Sequence, residues 1–275
     1  MLSEGIEKPV EDSLRPATLS IIIPAFNEAH RLPESLRQLR TWLASQPFTA
    51  DVLVVDDGSS DTTAEIVREV MEDWPALSLI VVPHAGKGAA VRAGVLAATG
   101  DLVAFADADF SMPVGELERL RAVALDIGGV AIASREASGA HRYGEPWYRH
   151  VMGRVFNRVV QLLILPGIQD TQCGFKCMPR EIALALCQRQ TISGWGFDVE
   201  LLAIARRHGF AIREVPIPWY YMANSRVRLG HDTLSMLHEV LRIRANCQRG
   251  RYSRGPELSD GLGDEATTAR NIHAR

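Results

Sequence analysis

A chain of 275 residues is long enough to bury one sizeable α/β core, with room for a small appended lobe. Hydrophobic residues at 47% and charged residues at 23% are ordinary for a soluble globular protein. The formal net charge of -3 argues against a general nucleic-acid binder, which would be basic, so any cationic surface must be local.

The first half alternates short β-branched runs with helical patterns. Leu19 to Ile23 reads as a buried strand ended by Pro24, and Arg31 to Ser45 as a helix with Leu32, Leu36, Leu39 and Leu43 at helical spacing. Asp51 to Val55 is a second strand, stopped by Asp56-Asp57-Gly58. A helix over Asp61 to Asp73 follows, with Ser60 or Asp61 as its N-cap. Ser78 to Val82 is a third strand, Gly86 to Ala98 a third helix, and Asp101 to Ala106 a fourth strand that ends at Asp107-Ala108-Asp109. Alternation at this interval predicts a doubly wound, mostly parallel sheet, in which ligands collect outside the carboxyl ends of the strands.

The second half is less regular. Gly129 to Ser134 reads as a fifth strand, Ser138 to Pro146 as a polar loop and Tyr148 to Leu165 as a long helix. Gln172 to Met178 and Phe210 to Val215 read as strands around a helix at Val199 to His208, and Asp232 to Cys247 as a last helix with Leu234, Leu237 and Leu241 on one stripe. Met1 to Pro16 is acidic and lacks the apolar core of a signal peptide, and no apolar run reaches the ~18 to 20 residues that span a bilayer. The expected organisation is a flexible arm over 1–17, one domain over 18–248 and a disordered tail over 249–275. Cys173, Cys177, Cys187 and Cys247 have poor zinc spacing and form no disulfide framework, which suits reduced thiols in a cytosolic setting.

Three polar clusters lie at equivalent strand ends: Pro24 to Glu28, Asp56 to Ser59, and Asp107 to Asp109. In extended chain, residues two apart face the same side, so Asp107 and Asp109 can aim at one cation, and hard oxygen ligands suit Mg²⁺ or Mn²⁺. An isolated pair of this kind also makes an ordinary turn with solvated carboxylates. The phosphatase nucleophile motif that Asp107 to Ser111 loosely imitates belongs on a first strand, whereas three strands precede it here. Gly86-Lys87-Gly88 opens a helix and would let backbone and ammonium approach a phosphate, although it completes no nucleotide-binding fingerprint.

Six blocks then occur in order: Ile23-Pro-Ala-Phe-Asn27-Glu28, Asp56-Asp-Gly-Ser-Ser-Asp61, Gly86-Lys-Gly-Ala-Ala-Val-Arg92, Asp107-Ala-Asp109, Asp170-Thr-Gln-Cys-Gly-Phe-Lys176 and Gly194-Trp-Gly-Phe-Asp198-Val-Glu200. Together they resemble family 2 glycosyltransferases, and more narrowly the branch that glucosylates or mannosylates dolichyl or polyprenyl phosphate. The resemblance implies a GT-A fold, Rossmann-like, with an irregular acceptor-side C-terminal half. Residues 18–110 would bind the nucleotide sugar and 111–248 the acceptor. It also implies inverting transfer from UDP-glucose or GDP-mannose with a divalent metal, Mg²⁺ or Mn²⁺, on Asp107 and Asp109.

By the same resemblance Pro24, Ala25, Asn27, Glu28, Asp56, Lys87, Gly88 and Ala108 would line the nucleotide-sugar pocket, with Asp57 toward the base. Asp198 stands where inverting relatives carry a candidate base. Ser134, Arg135 and Arg149 match acceptor-phosphate positions, and Arg226 and Arg228 a basic segment that closes over the donor. Ser111 replaces the glutamine usual in mannosyl relatives, which favours glucose. A mannosyl donor, a soluble or cell-wall acceptor, and an inactive sugar-nucleotide-binding protein are the alternatives. A phosphate acceptor is already largely ionised, with a second pKa near ~6, so Asp198 would orient hydroxyls rather than serve as an obligatory base. Val151, Val155, Val159 and Leu162 form an apolar stripe beside Arg154 and Arg158. Such a helix either packs on the core or lies on the cytoplasmic face of a membrane, where Arg242, Arg244, Arg249, Arg251 and Arg254 would meet headgroups.

Overall fold

The computed structural model describes residues 18–222 and 231–253. Its elements in chain order are β1 (Leu19–Ala25), α1 (Leu32–Leu43), β2 (Ala50–Asp56), α2 (Thr63–Asp73), β3 (Leu77–Val81), α3 (Lys87–Ala97), β4 (Leu102–Phe105) and α4 (Glu116–Ile127). These are followed by β5 (Val130–Ser134), β6 (His141–Tyr143), α5 (Trp147–Leu163), β7 (Lys176–Pro179), α6 (Arg180–Arg189), α7 (Phe197–Arg207), β8 (Ile212–Pro216), β9 (Pro218–Tyr220) and α8 (His231–Gln248).

Seven strands form one sheet in the order β3-β2-β1-β4-β7-β5-β8. Strands β1 to β4 are mutually parallel, β5 and β8 are parallel, and β7 runs antiparallel to both β4 and β5. Six strands therefore share a direction, and the doubly wound, mostly parallel sheet expected from the alternation is present. Side-chain alternation sends Ile22 of β1 to one face and Ile21 and Ile23 to the other, all fully buried. The Ile22 face packs against α3, α5, α6, α7 and α8, and the Ile21 face against α1, α2 and α4. Loss of one such side chain costs about 2–5 kcal/mol, because both faces are closed and cannot collapse freely.

Reversal of β7 has a functional result. Its first residue, Lys176, pairs with Phe105 and Ile132 near the carboxyl ends of β4 and β5. The irregular stretch before it, 170–175, therefore arrives at the edge where the parallel strands discharge their loops. The sequence reading extends this strand from Gln172, but ladder pairing begins only at Lys176. It also assigns no element to Glu116–Ile127 or Arg180–Arg189, which are α4 and α6. The Ser138 to Pro146 loop contains β6, which pairs with β9 as a separate two-stranded ribbon.

Two further expectations are corrected. Helix α2 starts at Thr63, with Thr62 as an N-cap that makes no side-chain cap bond. Ser60 and Asp61 are held back because Asn27 Oδ1 accepts from both of their backbone N–H groups, at 2.8 and 3.3 Å. Residues 249–253, expected as part of the tail, are ordered: Tyr252 is fully buried and its hydroxyl donates to Glu200 Oε1 at 2.6 Å. An aromatic side chain with a satisfied hydroxyl gains more by packing than by solvation. The arm over 1–17, residues 254–275 and the segment with Arg226 and Arg228 lie outside the described residues.

On α5, Phe156 and Val160 face the core, while Val151, Val155 and Leu162 are exposed, the last at 75%. Three residues of the apolar stripe read from the sequence are thus turned away from the protein, and its fourth, Val159, is half-buried. Leu234, Leu237 and Leu241 of α8 are exposed as well, and Met236, Val240 and Ile243 carry its packing. Among the described residues no helix is long and apolar enough to cross a membrane.

Candidate active site

The parallel strands bring their polar ends together at one edge. Asp107 and Asp109 follow β4, separated by the buried Ala108, whose carbonyl accepts from Ser35 Oγ at 2.6 Å. Phe110 takes a left-handed φ of 42° and Ser111 N–H donates to Asp109 Oδ1 at 3.2 Å, which fixes the turn. Asp107 leans on Gly174, where a β-carbon would fall 1.9 Å from Asp107 Oδ2. The glycine of the 170–176 block is thus a space requirement of the first aspartate.

Each aspartate has drawn an internal cation. Lys87 Nζ stands 2.5 Å from Asp107 Oδ1, and Arg31 Nη1 3.6 Å from Asp109 Oδ2. Burial opposes the charge of Lys87, but Asp107, Asp198 and Asp109 outweigh it and raise its pKa. Burial likewise pushes Asp107 up, and Lys87, Lys176 and Arg135 hold it below the usual carboxylate range. Asp109 is raised, by burial and by the charge of Asp107. Among the described residues no group of three His, Cys, Asp or Glu side chains could enclose a metal. Two hard carboxylates on the wall of a cavity fit a divalent cation that completes its shell with phosphate oxygens and water.

A cavity of about 270 Å³ joins Lys87, Asp107, Asp109 and Asp198 to Arg135, Arg142 and Arg149, and continues past Met152, Phe156, Met222 and Met236. Asp198, in the first turn of α7, is buried and accepts a hydrogen bond from Lys176 Nζ. Burial raises its pKa despite the nearby lysines. Arg135 grips Asp170 through Nε and Nη2 at 2.7 and 2.9 Å and lies 5.4 Å from the Trp219 ring centre. Arg149 lies 5.5 Å from the Tyr221 ring centre, and its buried Nε has no hydrogen-bond partner. An orphaned guanidinium nitrogen on a cavity wall is suited to an incoming anion.

Among the described residues, the remaining site residues read from the sequence are not part of this cavity's lining. Asp57 accepts from the N–H groups of Ala85 and Gly86 at 2.8 and 3.0 Å, and His84 Nδ1 lies 2.8 Å from its Oδ2. The carboxylate expected to face a base therefore shapes the loop that opens α3. His84 in turn stacks on Phe26, ring centres 4.2 Å apart. Asp56 accepts from Ser59, and Glu28 pairs with Arg31 at 2.6 Å. Asn27, at φ 54°, ties β1 to the loop before α2, and Pro24 and Ala25 sit inside the β1–β2 ladder. Gly88 packs against Phe197, where a β-carbon would come within 2.6 Å. Ser134 is fully buried, donates to Glu214 Oε1 at 2.7 Å and does not reach the cavity. Trp195 and Trp219 border the cavity, and Lys176 reaches it through Asp198, without having been assigned roles from the sequence. For Lys176 the signal was its place at the end of the 170–176 block.

An α/β sheet with paired aspartates after its fourth strand, a lysine at a helix start and an arginine-lined cavity beyond defines a sugar-transfer site of the GT-A type. The chain belongs to glycosyl transferase family 2, whose family model matches residues 20–186. It is 34% identical over 238 residues to a dolichyl-phosphate beta-glucosyltransferase of Trichomonas vaginalis, covering 82% of this chain and 71% of that one. With the dolichyl-phosphate beta-glucosyltransferase of Homo sapiens it shares 30% over 253 residues, 85% of this chain and 77% of that one. Among solved structures it is similar to glucosyl-3-phosphoglycerate synthase of Mycobacterium tuberculosis in complex with Mn²⁺, UDP and glucosyl-3-phosphoglycerate. That likeness has a TM-score of 0.60 at 18% identity and covers 87% of this chain and 82% of that one. Mannosyl-3-phosphoglycerate synthase of Rubrobacter xylanophilus aligns with a TM-score of 0.61 at 18% identity, covering 88% and 78%. The protein is a glycosyltransferase.

Proposed function

We propose that this enzyme transfers glucose from UDP-glucose to a polyprenyl or dolichyl phosphate, with inversion, at a membrane surface. The observation that carries the reading is that one cavity is lined by Asp107 and Asp109, by Arg135 and Arg149, and by apolar Met152, Phe156, Met222 and Met236. The carboxylates suit a cation-bound nucleoside diphosphate, the guanidiniums a phosphate, and the apolar side chains an alkyl chain. The names of the relatives support glucosyl transfer to dolichyl phosphate.

Asp107 and Asp109 would hold the divalent cation, Mg²⁺ or Mn²⁺. That cation, when bound, offsets charge on the departing diphosphate. Lys87 adds a second positive charge at the same place. Arg149 and Arg135 would hold the acceptor phosphate, Arg135 being preset by Asp170. At neutral pH that phosphate is already largely dianionic, so Asp198 has hydroxyls to orient and no proton it must remove. The outward apolar face of α5, with Trp147 and Tyr148 exposed at its start, would rest in the headgroup region.

The test is incubation of the protein with radiolabelled UDP-glucose, Mn²⁺ and dolichyl phosphate, followed by organic extraction. Label in the organic phase that depends on both lipid and metal is the expected result. Label that stays aqueous in the presence of a soluble glycan acceptor would overturn the reading, and higher turnover with GDP-mannose would replace the donor.

A further inference from the structure

Beneath the cavity lies a second lysine. Lys176 is fully buried, and β7 delivers it to the carboxyl ends of β4 and β5. Its ammonium donates to the Cys173 carbonyl at 2.7 Å and to Asp198 Oδ1, and stands 5.6 Å from the Phe105 ring centre. Asp198 borders the cavity, whereas Lys176 does not. A buried ammonium gives up its hydration and persists only where fixed acceptors replace water.

Three charged groups act on Asp198: Lys176 from β7, Lys87 from α3 and Asp107 from the turn after β4. Lys87 is engaged by Asp107, so Lys176 is the cation bonded to Asp198 itself. Its position is also the more rigid of the two. It sits within a sheet ladder and is fully enclosed, while the Lys87 side chain keeps 17% of its surface exposed.

We propose that Lys176 is a positioning residue, which from below the cavity floor clamps one oxygen of Asp198 so that the other is presented to hydroxyls of the bound sugar or acceptor. The inference rests on the transfer reaction proposed above and names what sets the geometry of its carboxylate. A carboxylate freed from the clamp would swing within the cavity, and a displacement of about 1 Å at a reacting centre costs roughly 100-fold in rate. An ion pair kept for stability alone would leave turnover per folded molecule unchanged when removed.

The experiment is a double-mutant cycle on the full chain, with kcat and KM for UDP-glucose measured beside thermal unfolding. Lys176→Met and Asp198→Ala are each expected to lower kcat by roughly 10- to 100-fold, with KM for UDP-glucose changed less than about twofold. The double variant is expected to match Asp198→Ala, since the lysine acts only through the aspartate. If Lys176→Met does not fold, the double variant, which buries no lone charge, is compared directly with Asp198→Ala. A further loss of tenfold or more in the double variant, or a rise in KM equal to the fall in kcat, overturns the proposal. Lack of transfer by the unmodified protein overturns the underlying reaction instead, which separates the two failures.

Discussion

Lys87 and Asp107 form a 2.5 Å ion pair that occupies the first of the two carboxylates available to a cation. The lysine also lies against the rings of Trp195 and Phe197, at 5.6 and 5.8 Å, and among the described residues Asp107 is its one ion-pair partner. On the proposed reading cation and donor would be coupled, since a ligand that draws Lys87 away would free Asp107. Lys87→Met is expected to bind Mn²⁺ more tightly without nucleotide, by roughly tenfold for a lost competing charge pair, and to bind UDP-glucose more weakly. Titration of Mn²⁺ followed by electron paramagnetic resonance, with and without UDP, measures both changes.

Asp198→Asn separates two acceptor chemistries. With its single oxygen held by Lys176, asparagine turns its amide N–H groups toward the hydroxyls, where it can still donate hydrogen bonds but cannot take a proton. With dolichyl phosphate as acceptor, kcat is expected to fall only a few fold. A drop of roughly 100-fold or more, in the range lost with a general base, would assign proton removal to Asp198 and point to a hydroxyl acceptor.

The Arg135–Asp170 pair sets an acid limit. Burial pushes the Asp170 carboxyl up, but Arg135 overrides it and holds the pKa at about 2. Because this lies below the unfolded value of about 3.9, the contribution is complete above about pH 4 and is lost as pH falls through about 2. Its size is on the order of 2 kcal/mol. Asp170→Asn should lose roughly 3–5 kcal/mol near neutrality, where it strands the guanidinium, and should flatten this acid decline. Urea unfolding at stepped pH reads both effects.

The exposed side of α5 gives a prediction without a folding cost. Val155 and Leu162 are 60% and 75% exposed, so Val155→Ser with Leu162→Ser should leave stability within about 0.5 kcal/mol. Vesicle binding should fall roughly tenfold or more, given about 1.5–3 kcal/mol for each large apolar side chain taken out of a lipid phase. Flotation with liposomes of mixed neutral and anionic lipid tests it, and unchanged flotation would remove α5 from the membrane face.

Truncation after Gln248 should destabilise the protein by roughly 3–5 kcal/mol, the usual cost of losing a buried aromatic side chain. Tyr252 carries that loss: it is enclosed, and it bonds Glu200 and Asn246. Tyr252→Phe should cost only about 1–2 kcal/mol, since packing is kept and two hydrogen bonds are lost. Thermal unfolding of both variants separates packing from polar contributions.

The first half of the fold was legible because β1, β2 and β4 are covered on both faces and read as short, largely apolar runs closed by polar residues. Asp107 and Asp109 were legible for the same reason, since the end of a parallel strand is where a ligand edge must lie. What the residues concealed depends on pairing across distance. Nothing local in Cys-Gly-Phe-Lys says that Lys176 will pair antiparallel between β4 and β5, and hence meet Asp198. Ser134 illustrates the opposite case: the resemblance places it with Arg135 at an acceptor phosphate, but β5 alternation turns it inward to Glu214. Tyr252 was hidden by its polar neighbours, which gave the segment the composition of a tail.

The inverted strand also determines how the protein can be divided. β7 comes from the later part of the chain but is wedged between β4 and β5, so the parts of the chain before and after the paired aspartates share one ladder of backbone bonds. A fragment that stopped after the paired aspartates would leave the β4 edge bare, a surface prone to self-association. Swapping acceptor specificity by exchanging the C-terminal part wholesale would therefore replace a structural strand along with the pocket. Grafts confined to the stretch between β5 and β7, which carries Glu136, Arg142, Arg149 and α5, would leave that seam intact.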